Sequence, residues 1–438
     1  MLYRTISHTI EEHLRSGSEK IMLVDGARQI GKSFIVREVG RRVFKNFIEL
    51  NMVEDFLQEK MFENVRTVAD FYLAVSTIAG SKLEDKENTL IFIDEIQQYP
   101  ELLTLLKFLV QDGKYTYIAS GSLLGVTLSQ TTSIPMGSIE RVRMFPLSFE
   151  EFLLANDYNR EAIDGLRSIS HRKITITESM HARLLDLFRK YLIVGGLPDA
   201  VNAFLFDKNI EKVRKVQRET YEYYKIDASK YDEANKLKIR RIYDGLPSVL
   251  QNKKKRVRFQ DIENKRGKTF ADYEDEFDYL TNSGIALEVQ AISNPNFPLI
   301  ETAGKNLLKL YLNDVGVLTS ILYGNNIQAI MEDRRSVNLG AGYETAVASE
   351  LAAHGHKLFY YDNRNKGEVD FLIDNYDDLA VVPIEVKSGR DYSVHSAINT
   401  FVNNEDYHCR RAYVLSNKRE VKEKNGIIHM PVYYAMFL

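Results

Sequence analysis

Between Lys20 and Phe149, short apolar runs alternate with longer stretches whose apolar residues recur at helical spacing. The runs are Ile21–Asp25, Phe47–Leu50, Leu90–Asp94, Tyr115–Ser120 and Arg141–Phe145. Strands that are apolar at nearly every position are covered on both faces, and helix-period segments between them predict a largely parallel α/β sheet. From Phe149 to Lys225 the pattern is mainly helical, with a break at Gly195-Gly196-Leu197-Pro198. Three helical stretches follow (Lys236–Lys255, Arg258–Arg266, Phe270–Thr281), then two strand-like ones, Ile285–Ile292 and Leu307–Leu312. The last part opens with a helix, Tyr343–His354, and continues as strands at Phe359–Tyr361, Val369–Asp374, Ala380–Val386 and Ala412–Leu415. The expectation is an α/β multidomain chain divided at about 1–205, 206–334 and 335–438, with no Pro/Gly/Ser-rich linker marking either boundary.

Composition narrows this picture. A chain of 438 residues is too long for one ordinary core, which supports two or three domains. The formal net charge of -3 supplies no overall positive field, so contact with nucleic acid would need a local patch. Cys409 is the only cysteine, which excludes intramolecular disulfides. Met1–Lys20 reads as an amphipathic helix, with Leu2, Ile6, Ile10 and Leu14 on one face and no unbroken apolar core of a signal peptide. No apolar stretch approaches the ~18 residues that a membrane span requires. A soluble, cytoplasmic protein without a membrane partner is expected.

The chemistry begins at Gly26-Ala27-Arg28-Gln29-Ile30-Gly31-Lys32-Ser33, which fits G-x-x-x-x-G-K-[ST] between a strand and an amphipathic helix. Glycines let the backbone curl so that its N–H groups face phosphates, and the helix that follows adds its positive end. Lys32 is placed to reach the β- and γ-phosphates of ATP, and the Ser33 hydroxyl to ligate Mg²⁺. Leu90–Asp94 is an apolar strand that ends in Asp94 and Glu95. Asp94 suits the Mg²⁺ shell, and Glu95 suits the base that polarises the attacking water. A third strand ends in the hydroxyl of Ser120, either a sensor of the γ-phosphate or a strand end reaching solvent.

These pieces, with Ile96-Gln97, Ser120-Gly121-Ser122, Phe145–Phe152 and Gly195–Pro198 in that order, give the family likeness. The chain resembles the bacterial and archaeal AAA-type ATPases whose C-terminal half is a restriction-endonuclease-like domain of unknown function. The resemblance implies that the Gly-Leu-Pro turn lies near the nucleotide and couples its state to the downstream domain. It also suggests an arginine finger, acting in cis or in trans, at Arg141 or Arg143, where a plain surface arginine is the other reading.

The middle helices and strands suit a winged helix, in agreement with the same resemblance. The basic run Lys253-Lys254-Lys255-Arg256-Val257-Arg258 could grip phosphates or lie solvated as a loop. The third helix carries Asp272, Glu274, Asp275, Glu276 and Asp278, which repel DNA from the position where a recognition helix would read it. A packing module that touches backbone only through its basic edge is expected.

In the last segment, Asp370 in one strand and Glu385-Val386-Lys387 in the next form the D…ExK arrangement of restriction-endonuclease-like folds. A hairpin centred near Asp377 and Asp378 would set Asp370 opposite Glu385, about 5 Å apart at Cβ, with Lys387 on the same face. Such a group could hold a second Mg²⁺ or Mn²⁺ and orient a water for phosphodiester cleavage. By the resemblance, Glu344 adds a further acid, with Glu350 as the alternative. Two functions follow: ATP state gates a nuclease, or it drives a switch whose catalytically inactive C-terminal domain binds DNA or a protein. The pair His354/His356, the tyrosines of Tyr221–Tyr231 and Cys409 read as cap, packing and inert positions. Oligomeric state is not legible.

Overall fold

The computed structural model describes residues 2–122, 136–231, 236–333, 337–388 and 396–438. They form two compact units, Met1–Phe145 with Asn282–Gly284, and Pro146–Thr281 with Ile285–Leu438.

In the first unit, β1 (Ile21–Asp25), β2 (Asn46–Asn51), β3 (Thr89–Asp94), β4 (Thr116–Gly121) and β5 (Ile139–Arg143) make a sheet in the order β2-β3-β4-β1-β5. All four pairings are parallel. Every residue of β1 and β3 is buried, which is why these two runs carry no polar alternation. Phe71, Leu103 and Leu106 from flanking helices bury their side chains against Ile91 and Ile93, at roughly 1.5–3 kcal/mol for each. The helix Lys32–Val43 turns Ile35, Val36 and Val39 inward and leaves Phe34 exposed. Because β4 lies between β1 and β3, the register brings Ser120 beside Val24 and Ala119 beside Ile93. The carboxyl ends of three strands therefore meet at one edge, where open α/β sheets place ligands.

The second unit begins with helices, among them Phe149–Ala155, Glu178–Val194, Ile210–Tyr231 and Lys236–Gln251. It ends in a mixed sheet of eight strands: β6 (Ala286–Ile292), β7 (Gly304–Leu312), β8 (Phe359–Asn363), β9 (Gly367–Asn375), β10 (Ala380–Val386), β11 (Ala412–Ser416), β12 (Lys422–Lys424) and β13 (Ile427–Pro431). Their order is β12-β13-β11-β10-β9-β8-β6-β7.

In this topology, strands on either side of the expected boundary at 334/335 share one sheet. The two strands read as a wing pair antiparallel with each other, but β6 also pairs in parallel with β8. They are the edge of the C-terminal sheet, so a boundary at 334/335 would cut through one hydrogen-bonded layer. The division near 205 falls in the helical turn Ala203–Asp207, whereas the two units part at 145/146. Local composition does not register strand pairing across long separations, which is what joins these segments. No helix among the described residues is long and apolar enough to cross a membrane.

Candidate functional site

The loop between β1 and the helix Lys32–Val43 is shaped by glycine. Gly26 has φ 144, and a Cβ there would lie 2.3 Å from the Met144 carbonyl oxygen. Any side chain would push the chain away from β5. The Lys32 ammonium is folded under the loop, donating to the carbonyls of Gly26 at 3.0 Å and Ala27 at 2.7 Å. Burial pushes its pKa down, against the pull of Glu95, Asp25 and Asp94. A buried ammonium hydrogen-bonded to neutral carbonyls can exchange them for charged phosphate oxygens.

Asp94 is the centre of the polar edge. Its Oδ1 accepts from the Ser33 hydroxyl at 2.9 Å and from the Ser120 hydroxyl, and Arg37 Nη2 stands 3.8 Å from Oδ2. Burial raises the Asp94 pKa, and the two hydroxyl bonds partly offset it. Glu95 follows in the left-handed region at φ 53. Its Oε2 accepts from Ser122 Oγ at 2.9 Å and Gln97 Nε2 at 2.5 Å, while Arg28 Nε donates to Ser122 at 2.9 Å. The loop and the acidic strand end are thus linked through one serine. Sequence reasoning named Ser122 and Gln97 only as part of a likeness; their position just after β4 and β3 was the available signal.

Ser33 and Asp94 present adjacent oxygen ligands, which suits a hard divalent cation such as Mg²⁺. Arg141 is held by Asp25, with Nε 3.0 Å from Oδ2. Arg143 donates to the Asn282 carbonyl at 3.3 Å, and burial lowers its pKa. Either arginine would have to leave a partner to reach a phosphate.

The family models divide the chain in three. Residues 18–153 match an AAA domain, 185–327 a domain of unknown function (DUF8612) and 339–434 another (DUF4143). Residues 18–153 are an AAA-type P-loop ATPase domain. No curated protein matches the chain. Among solved structures it is similar to a Walker-type ATPase of Pyrococcus abyssi, with 14% identity, 74% of this chain and 96% of that one covered, and a TM-score of 0.44. It is also similar to the S. cerevisiae Hsp104–ADP complex (12%, 81% and 44%, 0.31) and to Thermotoga maritima RuvB (16%, 65% and 87%, 0.26). All three TM-scores lie below 0.5, so the ATPase domain rests on the family match and on its own geometry.

Within the second unit, the Gly195–Pro198 turn packs on the segment after Phe145 and on a buried acid. Gly196 N–H donates to Asp314 Oδ2 at 2.6 Å, and Gly196 O accepts from Leu147 N–H at 2.7 Å. Burial pushes the Asp314 carboxyl up to about 6.

The C-terminal acids come together as the hairpin requires. β9 and β10 pair antiparallel through Ile384 and Phe371, and one further step of that register sets Glu385 opposite Asp370. Lys387 forms an ion pair with Glu385. Glu344 lies on the helix Gly340–Ala353 and joins them electrostatically. Burial, with repulsion from Glu344 and Glu385, raises the Asp370 pKa well above the usual carboxylate range. Glu350 goes elsewhere: its Oε1 accepts from the Phe149 N–H at the start of the helix Phe149–Ala155.

At the position expected to hold a metal, part of the donor set is already bonded. Both Glu344 oxygens are in use, Oε1 with Lys255 Nζ at 2.7 Å and Oε2 with the Tyr311 hydroxyl at 2.9 Å. Among the described residues, no group of three or more His, Cys, Asp or Glu is arranged to hold a metal ion. Two members of the basic run are also committed here, Lys255 to Glu344 and Arg256 to Asp362 at 2.5 Å and Glu368 at 3.1 Å. Lys253, Lys254 and Arg258 are exposed.

A cleft of about 940 Å³ opens elsewhere in this unit, among Lys173, His354, His356, Tyr376, Arg410 and Arg411, and contains neither Asp370 nor Glu385. His354 Nδ1 there bonds the Leu438 carbonyl at 2.7 Å. Tyr221 and Tyr224 are buried within helix packing, while the side chain of Tyr231 lies outside the described residues. Burial pushes the Cys409 thiol up to about 12, which makes it a poor nucleophile.

Proposed function

We propose that the chain is a Mg-ATP hydrolase whose nucleotide state switches what its C-terminal domain binds. The observation that carries the first half is the meeting of Ser33, Ser120 and Asp94 on one carboxylate oxygen beside the buried Lys32 ammonium. In this reading, Gly26–Ser33 wraps the phosphates with backbone N–H groups, and Lys32 trades its two carbonyls for β- and γ-phosphate oxygens. Ser33 and Asp94 would hold Mg²⁺, which neutralises phosphate charge when bound. Glu95 takes the proton from the attacking water after leaving Gln97 or Ser122, and Ser120 senses the γ-phosphate.

For the C-terminal domain, the convergence of Asp370, Glu385 and Lys387 favours metal-dependent cleavage of nucleic acid by a restriction-endonuclease-like fold. The lysine and tyrosine partners of Glu344 favour a domain that binds a DNA or protein partner without cutting, and this second reading is the one adopted.

The test measures ATP binding and turnover in wild type and Lys32→Ala. It also measures divalent-dependent cleavage of circular, linear and single-stranded DNA and of RNA, with Asp370→Ala alongside. Removing charge-assisted bonds worth about 3 kcal/mol should weaken ATP binding over a hundredfold in Lys32→Ala. Unchanged affinity would refute the nucleotide site. Cleavage by wild type that Asp370→Ala abolishes would restore the nuclease reading.

A further inference from the structure

Three elements supply the acids: Glu344 from a helix, Asp370 from β9 and Glu385 from β10. Carboxylates gathered in this way repel one another and demand a cation. Lys387 pairs with Glu385, and a further cation comes from a distant loop. Lys255 follows the helix Lys236–Gln251, holds the left-handed region at φ 48, and sends its half-buried side chain to Glu344 at 2.7 Å. A left-handed backbone costs a non-glycine residue roughly 1–2 kcal/mol, so the loop must gain from the contact. Burial works against the Lys255 ammonium, yet Glu344 and Asp370 hold its pKa above the ordinary value.

The rest of the loop is fastened to the same sheet. Val257 N–H donates to the Leu308 carbonyl at 3.0 Å, and Arg256 pairs with Asp362 and Glu368. Lys309, buried in β7, meets Glu368 at 2.6 Å and lies over the Tyr360 ring at 4.4 Å. The remaining acid oxygens are also occupied in part. Asp370 Oδ2 accepts from Val386 N–H at 2.8 Å, and Glu385 Oε1 pairs with Lys387, which leaves Glu385 Oε2 buried without a partner among the described residues.

We infer that the Lys255 ammonium, paired with Glu344 and beside Asp370, takes the place at this acid cluster that a divalent cation would take. The centre is therefore metal-free, and the 253–258 loop is its internal ligand. An ammonium is a compact charge with three donors, and it offsets carboxylate charge without the full oxygen shell that Mg²⁺ or Mn²⁺ requires. This assignment does not depend on ATP hydrolysis and is tested without nucleotide.

The experiment titrates the nucleotide-free full chain with Mn²⁺, following free ion by electron paramagnetic resonance. The variants are wild type, Glu385→Gln, Lys255→Met and the double substitution. Wild type and Glu385→Gln should take up the same amount of Mn²⁺. Lys255→Met should take up one ion more, and Glu385→Gln in that background should remove it. The inference is overturned if wild type holds one ion more than Glu385→Gln, or if folded Lys255→Met gains none. Should Lys255→Met fail to fold, the wild-type and Glu385→Gln comparison still decides, together with a Mn²⁺-induced shift in melting temperature that is the same in both.

Discussion

Glu350 gives the sharpest thermodynamic prediction. Its side chain is 1% exposed, one oxygen accepts from the Phe149 N–H, and the other is buried without a partner among the described residues. Burial pushes its carboxyl up to about 8, and repulsion from Glu151 and Glu150 adds to the effect against the single N–H bond. An unfolded glutamate titrates near 4.3. The folded value is the higher one, so the folded state binds the extra proton. The stabilising contribution is complete below about pH 4 and is lost as pH rises through about 8. Between pH 5 and pH 8 the loss is about 1.4 kcal/mol per pH unit, or about 4 kcal/mol.

Glu350→Gln removes this titration while keeping the acceptor for Phe149. The amide must place its NH₂ where Oε2 found no partner, at a cost of roughly 1–3 kcal/mol that does not vary with pH. The difference in stability between variant and wild type should therefore climb by about 4 kcal/mol from pH 5 to pH 9, whatever its starting value. The chain contains no tryptophan, so urea unfolding of the second unit would be followed by circular dichroism and tyrosine fluorescence at pH 5, 7 and 9. A difference that stays constant across this range would refute the reasoning and show that Glu350 titrates like a solvated glutamate.

Glu95→Gln should bind ATP as wild type does and turn it over about 10²–10⁴-fold more slowly, because the water loses its base. Steady-state phosphate release beside equilibrium binding checks this, and wild-type turnover would remove Glu95 from the chemistry. Gly196→Ala should destabilise the second unit by about 1–3 kcal/mol, since its Cβ would lie 2.2 Å from the Leu147 carbonyl oxygen. Thermal unfolding reads that loss, and an unchanged midpoint would mean that the Leu147–Gly196 contact yields freely.

The ATPase domain was legible because its signals are local. Continuous apolar runs are the direct mark of strands covered on both faces, and β1 and β3 appear where those runs lie. A loop of fixed length then joins β1 to a helix, so Lys32 and Ser33 follow from spacing alone. The last strand was read two residues late, Arg141–Phe145 against Ile139–Arg143, since Ile139 is followed by polar Glu140 on a sheet edge. The hairpin of β12 and β13 was missed although Asn425-Gly426 is a strong turn signal, with both residues at positive φ. Lys422, Glu423 and Lys424 are all exposed, so β12 has no apolar alternation to announce it. The two strands expected as a wing are a different case. Its two strands were found, but their partner β8 lies far along the chain and leaves no trace in local pattern.

The acid cluster shows how a spacing argument can address geometry and stay silent about chemistry. Asp370 opposite Glu385 follows from the turn between β9 and β10, because antiparallel register is set by loop length. Which cation lies among the acids is decided by residues that the spacing never mentions. Lys309 did leave a signal, a single charge within Leu307-Leu308-Lys309-Leu310-Tyr311-Leu312, where a buried strand tolerates lysine only beside a carboxylate. Lys255 left none. It stands in a basic run with Lys253 and Lys254, which are exposed, and nothing in their chemistry separates the three. Only the docking of that loop on the sheet gives Lys255 a carboxylate and its neighbours water. A D…ExK pattern therefore implies two carboxylates and a lysine on one face, and a metal centre only where no other segment of the chain brings a cation to them first.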